Sequence, residues 1–407
     1  MAQGVNLPSP PYFSHARRFD RGAGGCMVQT HQHRDLRIDL FRGIALWWIF
    51  VDHIPANWVA QFSLRNFALC DATEIFVLLA GYAAGLAYGR SMDKHGWLFA
   101  GADVMKRAWT LYIAHIFLFV VFSAQVSYSA NALDRSEYLD EIHLDVLAEA
   151  PYRAMLEALK LSFQPAYLNI LPMYVALLTW FALLLPLLRR PLVLFLLSAG
   201  VYIMMRTTGI NFPSWTGGGW YFNPIAWQFL FVIGAILAYA PPRPRVSPRM
   251  LDILALVILA AGLILLWAVW PYPDVEARVL ATAARALISV DKEGLHPMRL
   301  LSIMALAWLV SRTVQKDAAW LHSAWARPFI VCGQHSLPVF CVGIFLSFLA
   351  RLAMEEMDGW VVMAVVNLLG TMGLFGVGAL AAWYKNKGRL VRPDLPETPR
   401  AGNAQVT

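Results

Sequence analysis

The first apolar segment of the chain carries the residue types most able to do chemistry. It reads RIDLFRGIALWWIFVDHIP and contains Arg42 and His53, which are eleven residues apart. On a helix this spacing is about three turns, so the two side chains share a face and lie roughly 16 Å apart along the axis. An imidazole at that depth can take a proton from a hydroxyl near neutral pH. The alternative interpretation is a histidine that reaches water from a helix end, with Arg42 as an anchor of topology.

A second apolar segment, CDATEIFVLLAGYAAGLAYG, opens with two carboxylates. Asp71 and Glu74 are three residues apart and therefore lie on one helix face. As catalytic groups they could orient the imidazole of His53, whereas the structural interpretation is that a helix N-terminus stabilises anions. Asp52 precedes His53 directly in the chain, so we expect it to point to another face.

Polar side chains in later segments are candidates for binding a substrate or for stabilising a developing oxyanion. They occur in RAWTLYIAHI, WYFNPIAWQF and GQHSLPVF, and they are Tyr112, Asn223, Trp227, Gln228, His335 and Ser336. Because adjacent residues on a helix point about 100° apart, His335 and Ser336 do not form a nucleophile–base pair by spacing alone. Trp215, Trp220 and Tyr221 offer aromatic faces for stacking a ligand, or else belong to an interfacial aromatic belt.

The composition indicates that these segments belong to a membrane protein. Hydrophobic residues make up 58% of the 407 residues and charged residues 14%, against about 25% charged residues in soluble domains. The apolar runs are long, and hydrocarbon admits only helices or closed barrels, so we predict an all-α polytopic membrane protein with about ten transmembrane helices. The predicted spans are 40–56, 70–89, 104–127, 167–188, 191–205, 224–240, 250–270, 298–312, 326–350 and 359–384. In the second span Gly81, Gly85 and Gly89 form a stripe that predicts close approach of another helix.

The distribution of Lys and Arg predicts that the N-terminus and the C-terminus are both cytoplasmic. Of the 33 Lys and Arg residues, 22 fall in segments that this orientation places inside and nine in outer loops. The net charge of +7 is therefore a consequence of topology, and without a basic stripe interleaved with aromatic residues it does not predict nucleic-acid binding. The four cysteines form no CxxC pair, so no metal site is predicted.

One membrane domain, residues 36–388, is predicted between two polar ends. The leader, residues 1–35, lacks the apolar core of a signal peptide and is predicted to be disordered and cytoplasmic. The tail, residues 389–407, is predicted to be flexible and cytoplasmic. Apolar residues at near-helical spacing predict amphipathic helices in the outer loops 129–166 and 271–297.

Several of these segments resemble known families. RIDLFRGIALWWIFVDH is similar to the first helix of the acyltransferase-3-like superfamily of membrane acyltransferases, whose mark is an Arg, ten residues and a His, here Arg42 and His53. In the second helix, AGY stands where that superfamily has SGF. LRNFALCDATEIFVLLAGYAAGLAYGR, FNPIAWQFLFVIG and GQHSLPVF, taken in order, resemble the OpgC family, which is associated with succinylation of osmoregulated periplasmic glucans. The similarity extends from about Asp35 to about Lys387.

The resemblance implies transfer of an acyl group, taken first as succinyl, from cytoplasmic acyl-CoA to hydroxyls of a periplasmic glucan or another envelope polysaccharide. The co-substrate would be succinyl-CoA or acetyl-CoA, and the location the bacterial inner membrane. His53 is then the catalytic residue and Arg42 a group that organises the site. Phosphates of CoA would meet basic residues of the inner side, namely Arg42, Arg90, Lys106 and Arg107. A succinyl group would need a cation for its second carboxylate, for which Arg65 or Arg206 could serve.

A transporter or flippase of an envelope precursor is the main alternative, because buried Asp, Glu and His can relay protons. Transporters often show paired inverted halves, but the polar motifs of the first two helices have no counterpart later in this chain. A structural membrane partner of a glucan synthase is a third possibility. Expected partners are membrane lipid and the glycan acceptor, and a homo-oligomer is left open.

Overall fold

A computed structural model of the chain describes residues 35–242, 245–269, 291–357 and 359–390. The described α-helices are α1 Leu36–Asp52, α2 Ala72–His95, α3 Trp97–Ala132, α4 Glu137–Ile142, α5 Asp145–Glu149, α6 Pro151–Leu159, α7 Ile170–Leu184, α8 Pro191–Thr208, α9 Pro224–Tyr239, α10 Pro248–Val269, α11 Pro297–Thr313, α12 Ala326–Gln334, α13 Ser336–Glu356 and α14 Trp360–Leu390. Short 3-10 helices lie at Trp58–Phe62, Leu64–Asn66, Leu185–Arg189 and Ala319–His322. The described residues contain no strand beyond an isolated bridge, so the predicted all-α class is confirmed.

Seven of the described helices are long and apolar enough to cross a membrane. They are α2, α3, α7 with its 3-10 extension, α8, α10, α13 and α14. Three more predicted spans coincide with α1, α9 and α11, which have 17, 16 and 17 residues. At 1.5 Å per residue these helices measure about 24–26 Å, less than a hydrocarbon core of about 30 Å. The number of ten spans and the cytoplasmic location of both ends therefore stay predictions.

The predicted ninth span, 326–350, is wrong as a single helix. The chain leaves helical geometry at His335, which has φ −118° and ψ 41° and separates α12 from α13. Pro338 lies in the first turn of α13, where backbone N–H groups have no partner within the helix, so a proline is tolerated there. The helix is therefore interrupted before the proline instead of being kinked at it.

The amphipathic helix predicted in the outer loop 129–166 is present as three short helices, α4 to α6. His143 ends α4 in the left-handed region at φ 60°, and Pro151 begins α6. Each short helix with buried residues turns small or apolar side chains inward, such as Ala154 of α6. Most of the second predicted outer helix, 271–297, lies outside the described residues, as do the leader before residue 35 and the tail after residue 390.

The glycine stripe of α2 lies against α9, which confirms the predicted close approach. A Cβ atom on Gly81 would collide with the carbonyl of Phe231, and one on Gly85 with the backbone of Ala235. A Cβ atom on Gly43 of α1 would likewise meet the backbone of α12. Because lipid supplies no hydrophobic force between helices, such backbone contacts are a main source of packing energy in a membrane.

Helix α1 lies at the centre of the bundle, in contact with α2, α12, α13 and α14. Its residues Leu40, Ala45 and Val51 are at most 1% exposed. We call the end of the bundle at which α1 begins the proximal end and the end at which α1 stops the distal end. The central position of α1 means that the residue directly after it, His53, is held inside the bundle near the distal end.

Candidate functional site

A cavity of about 670 Å³ opens beside the last turn of α1, and we call it the distal cavity. Its wall is formed by the end of α1, the start of α2, the connections around 164–170, 214–222 and 292–293, and α13. His53 is part of this wall, and so is Asp52. Asp52 thus lines the same cavity as His53, although the two side chains have different partners: the carboxylate of Asp52 pairs with Arg65 at 3.3 Å.

The imidazole of His53 is held in a defined orientation. Its Nδ1 atom lies 2.6 Å from the carbonyl oxygen of Ile49, one turn back on α1. A carbonyl only accepts hydrogen bonds, so Nδ1 carries the proton and Nε2 is the nitrogen with a free lone pair. The ring also packs against Tyr167, with the ring centroids 5.0 Å apart. A neutral His53 can therefore accept a proton at Nε2.

Four charged residues form an ionic cluster on the α2 side of the distal cavity: Asp71, Glu74, Lys292 and Arg299. Arg299 donates from Nε to Glu74 at 2.6 Å and from Nη2 to Asp71 at 2.8 Å. The Nζ atom of Lys292 lies 2.7 Å from the same oxygen of Asp71. The two carboxylates also form a capping box at the start of α2. Each charge in the cluster has an opposite partner, which explains how Glu74 is tolerated at 0% exposure.

This cluster favours the structural interpretation of the two carboxylates. Their described hydrogen bonds go to α2 and to Arg299, and the described hydrogen bond of the His53 ring goes to Ile49. A direct role in catalysis stays a prediction for Asp71 and Glu74. Sequence reasoning missed Arg299 as their partner, although a lone cation in an apolar helix was itself a signal that a carboxylate must lie nearby.

A second cavity, of about 200 Å³, lies between α1, α2, α3, α7 and α13, and we call it the proximal cavity. Arg42 and Arg107 line it together with Ser336. Arg42 donates from Nη2 to the carbonyl of Leu79 at 3.1 Å. Small residues of α2 form one wall, namely Ala80, Ala83, Ala84 and Ala87. The proximal cavity is therefore a narrow, mostly apolar space with two guanidinium groups.

The two cavities share part of their walls. Ile170, the first residue of α7, and Phe340 of α13 line both. The Phe340 ring stacks on Phe76 of α2, with the centroids 6.5 Å apart. A single layer of apolar side chains thus separates the Arg42 side from the His53 side. The face shared by Arg42 and His53 in the sequence corresponds to two adjoining spaces in the structure.

Two predicted substrate-binding residues are occupied in holding secondary structure. Tyr112 donates from its hydroxyl to the carbonyl of Leu159 at 2.9 Å, which ties α3 to the end of α6. Asn223 is the N-cap of α9: its side chain accepts from the N–H of Ile225 at 3.0 Å and donates to the carbonyl of Ile210 at 2.7 Å. Neither residue lines the distal or the proximal cavity.

Trp227 and Gln228 are buried in helix packing. The indole of Trp227 donates to the carbonyls of Lys292 and Glu293. Gln228 exchanges two hydrogen bonds with Ser198, which joins α9 to α8. Both side chains thus have partners in the packing of the helices. The structure does not support their predicted contact with substrate.

The remaining candidates divide between the cavity walls and other places. Trp220 and Tyr221 line the distal cavity, whereas Trp215 packs on Phe163 and lies beneath the guanidinium of Arg153. Predicted residues that line neither of the two cavities are Arg65, Arg90, Lys106, Arg206 and His335. Residues of the distal cavity that sequence reasoning missed are Gln164, Tyr167, Asn169, Lys292 and Arg351, all on other elements than α1.

Comparison with known proteins covers both cavities. The model of the family described as OpgC protein matches residues 34–386, which include every helix that lines the distal or the proximal cavity. No curated protein and no solved structure matches the chain. Since the matched region is much more than half of the sequence, the chain belongs to the OpgC family.

Proposed function

We propose that the protein is an O-acyltransferase that moves an acyl group from acyl-CoA to a hydroxyl of a periplasmic glucan or a related envelope polysaccharide. Membership of the OpgC family indicates a membrane acyltransferase in glucan modification. The observation that supports the full reaction is the position of His53. His53 lines a large polar cavity with its Nδ1 bonded to Ile49, which leaves Nε2 as the basic nitrogen, and this cavity shares part of its wall with a smaller cavity that holds two arginines.

The proximal cavity suits the donor. A CoA thioester has an anionic nucleotide end and a long, thin pantetheine arm. Guanidinium groups bind phosphate oxygens through charge-assisted hydrogen bonds, and Arg42 and Arg107 are the two in this wall. Alanines of α2 and aromatic rings line the space between them and Phe340, and such apolar walls suit an unbranched arm better than a polar sugar ring. Arg90 and Lys106 are exposed residues of α2 and α3 and could only meet the nucleotide outside the cavity.

The distal cavity suits the acceptor. It is larger than the proximal cavity, about 670 against 200 Å³, and its wall includes amide and hydroxyl groups such as Gln164, Asn169 and Thr73. The buried Oδ1 atom of Asn169 and Oε1 atom of Gln164 have no hydrogen-bond partner within the described part of the chain. Buried acceptors of this kind need donors, and the hydroxyls of a sugar supply them. Tyr221 in the same wall offers a ring for stacking.

The reaction then needs one proton acceptor. Nε2 of His53 takes the proton of the acceptor hydroxyl while its oxygen forms a bond to the thioester carbonyl carbon. The tetrahedral intermediate breaks its carbon–sulfur bond, and the imidazolium returns the proton to the leaving thiolate, which yields an ester and CoA. The hydrogen bond from Nδ1 to Ile49 is kept throughout, holds the ring in place and stabilises the imidazolium. Asn169 and Thr73 are candidates for donating to the oxyanion.

The test is the acyl content of envelope glycans, measured by mass spectrometry in a deletion strain that carries wild type or a variant. We expect wild type to restore an added acyl mass and His53→Ala, at equal expression, to restore none. The matched control is His322→Ala, which changes an exposed histidine of a 3-10 helix remote from both cavities. The added mass itself identifies the acyl group.

Two outcomes would redirect the proposal. If His53→Ala restores acylation as well as wild type does, His53 is only structural. If the glycans of all strains are the same, the reaction class fails and a transporter of an envelope precursor becomes the better explanation of two adjoining cavities.

A further inference from the structure

Lys292 is presented to the distal cavity by a firmly held turn, residues 291–296. The indole of Trp227 donates to the carbonyl of Lys292 at 3.2 Å, and the hydroxyl of Tyr202 donates to the carbonyl of Leu295 at 2.7 Å. Both donors are buried side chains of neighbouring helices. The Lys292 backbone is therefore fixed relative to α8 and α9, and its ammonium group has a defined place in the cavity wall.

The ammonium group of Lys292 can bind a second anion without leaving the carboxylate of Asp71 unpaired. Asp71 is shared, because Arg299 donates to the same carboxylate at 2.8 Å. If Lys292 turned toward the cavity, Asp71 would keep Arg299 as a partner. An ammonium has three N–H donors; Nζ of Lys292 lies 2.7 Å from Asp71 and 5.7 Å from the centroid of the Phe222 ring. Its side chain is 28% exposed, so the remaining donors can reach a ligand.

Other cations near the cavity are less suited to a ligand. Arg351 lines the same wall, but its guanidinium already bonds the carboxylates of Glu141 and Glu355. The two arginines predicted to bind a succinyl carboxylate do not line the cavity themselves: Arg65 pairs with Asp52 of the cavity wall, and Arg206 pairs with Asp291.

The direction from which acyl-CoA enters determines which end of its acyl group lies near Lys292. This step rests on the proposed function: the thioester enters past Arg42 and Arg107 and reaches His53 from the proximal cavity. The acyl group leads, so its far end must project beyond His53 into the distal cavity, where Lys292 lies. We propose that Lys292 binds a carboxylate at the far end of the acyl group, and so selects dicarboxylic acyl donors over uncharged donors of equal length.

The test compares succinyl-CoA with butyryl-CoA, which has the same chain length and no carboxylate. The full-length protein in membranes is assayed with a glucan acceptor, and kcat/KM is measured for both donors. We expect wild type to prefer the succinyl donor by roughly tenfold or more, the value of a charge-assisted hydrogen bond. Lys292→Met should bring the ratio of succinyl to butyryl transfer down toward one, and Lys292→Arg should keep most of the wild-type ratio. Lys160→Met, which removes an exposed lysine of the outer loop, is the matched control.

Each other outcome contradicts the proposal in a recognisable way. An equal loss with both donors in Lys292→Met, together with a lower thermal unfolding temperature, would show a purely structural ion pair. If wild type shows no preference, or prefers butyryl-CoA, the proposed contact between Lys292 and the acyl carboxylate is wrong. The proposed acyltransferase reaction would still stand. If folded wild-type protein transfers neither group, the proposed function fails first and the selection by Lys292 fails with it.

Discussion

The proximal and distal cavities differ in size and in chemistry, although they meet at the same two side chains. The proximal cavity is small, lined by alanines and aromatic rings, and polar chiefly through Arg42, Arg107 and Ser336. The distal cavity is more than three times as large and is lined by amides, hydroxyls, a histidine and charged groups. A single substrate would not need two such unlike spaces. The difference fits the proposal that two substrates approach from opposite ends and meet near Phe340.

The elements that build the two cavities differ in the same way. Regular helices enclose the proximal cavity, whereas irregular connections supply much of the distal wall, such as 164–170 and 214–222. Backbone outside helices is tolerated at membrane depth only where protein or water surrounds it. A polar cavity provides that environment, and the irregular segments in turn supply the polar side chains that a sugar requires.

Among the variants that test the different roles of the two cavities, His53→Gln is expected to have the largest effect. Glutamine keeps a polar side chain but cannot take up a proton, so kcat should fall by about 10²- to 10⁴-fold. The KM for acyl-CoA should change by less than about threefold, because the proposed donor site is the proximal cavity. Steady-state kinetics with a labelled donor measure both. A raised KM with kcat intact would show that His53 binds the donor and does not act as a base.

A smaller effect is expected from Arg107→Met, and it should appear in the KM for acyl-CoA instead of in kcat. Loss of one charge-assisted contact to a phosphate should raise the KM for acyl-CoA by roughly tenfold. The KM for the glycan acceptor should not change. Arg90→Met is the control, since this exposed arginine lies outside the cavity wall and its removal should have little effect. An equal response of both variants would contradict the assignment of the proximal cavity to the donor.

The shared wall itself can be opened by Phe340→Ala. Removal of this ring should let water of the distal cavity reach the thioester, so hydrolysis of acyl-CoA without acceptor should rise, by up to roughly tenfold. Release of free CoA measures this rate. Phe345→Ala removes another ring of α13 that packs on Phe122 and lines neither cavity, and it should leave hydrolysis unchanged. Equal hydrolysis in both variants would mean that Phe340 does not separate the cavities.

The smallest effect is expected from pH acting on Lys292. Burial lowers the pKa of Lys292, but the carboxylates of Asp71 and Glu74 outweigh burial and raise that pKa above its usual range. An ammonium with a raised pKa stays charged below its ordinary value of about 10.4. The preference for a succinyl over a butyryl donor should therefore vary by less than about twofold between roughly pH 6 and pH 9. A preference that disappears within that range would show that another group, with a lower pKa, binds the carboxylate.

Much of the site could not be predicted from the sequence, because its contacts join residues that are far apart in the chain. The bond between Arg299 and Asp71 spans 228 residues, and the pair formed by Gln228 and Ser198 spans 30. From the sequence, Gln228 and Trp227 looked like substrate ligands at the start of a helix. The structure shows that a polar group in an apolar helix can equally be a packing partner, since a hydrogen bond to a neighbouring helix stabilises a buried polar group.

The sequence by itself determined the helical membrane class, the close approach of another helix to the glycine stripe of α2, and the helical spacing of Arg42 and His53, because composition and helical periodicity are local properties. Family membership also followed from contiguous stretches of sequence. Only the tertiary structure decided that Arg42 and His53 belong to two separate cavities, that Lys292 and Tyr167 lie beside the histidine, and that α12 and α13 are two helices. These features depend on which side chains meet across the bundle, and that is set by the packing of all the helices together.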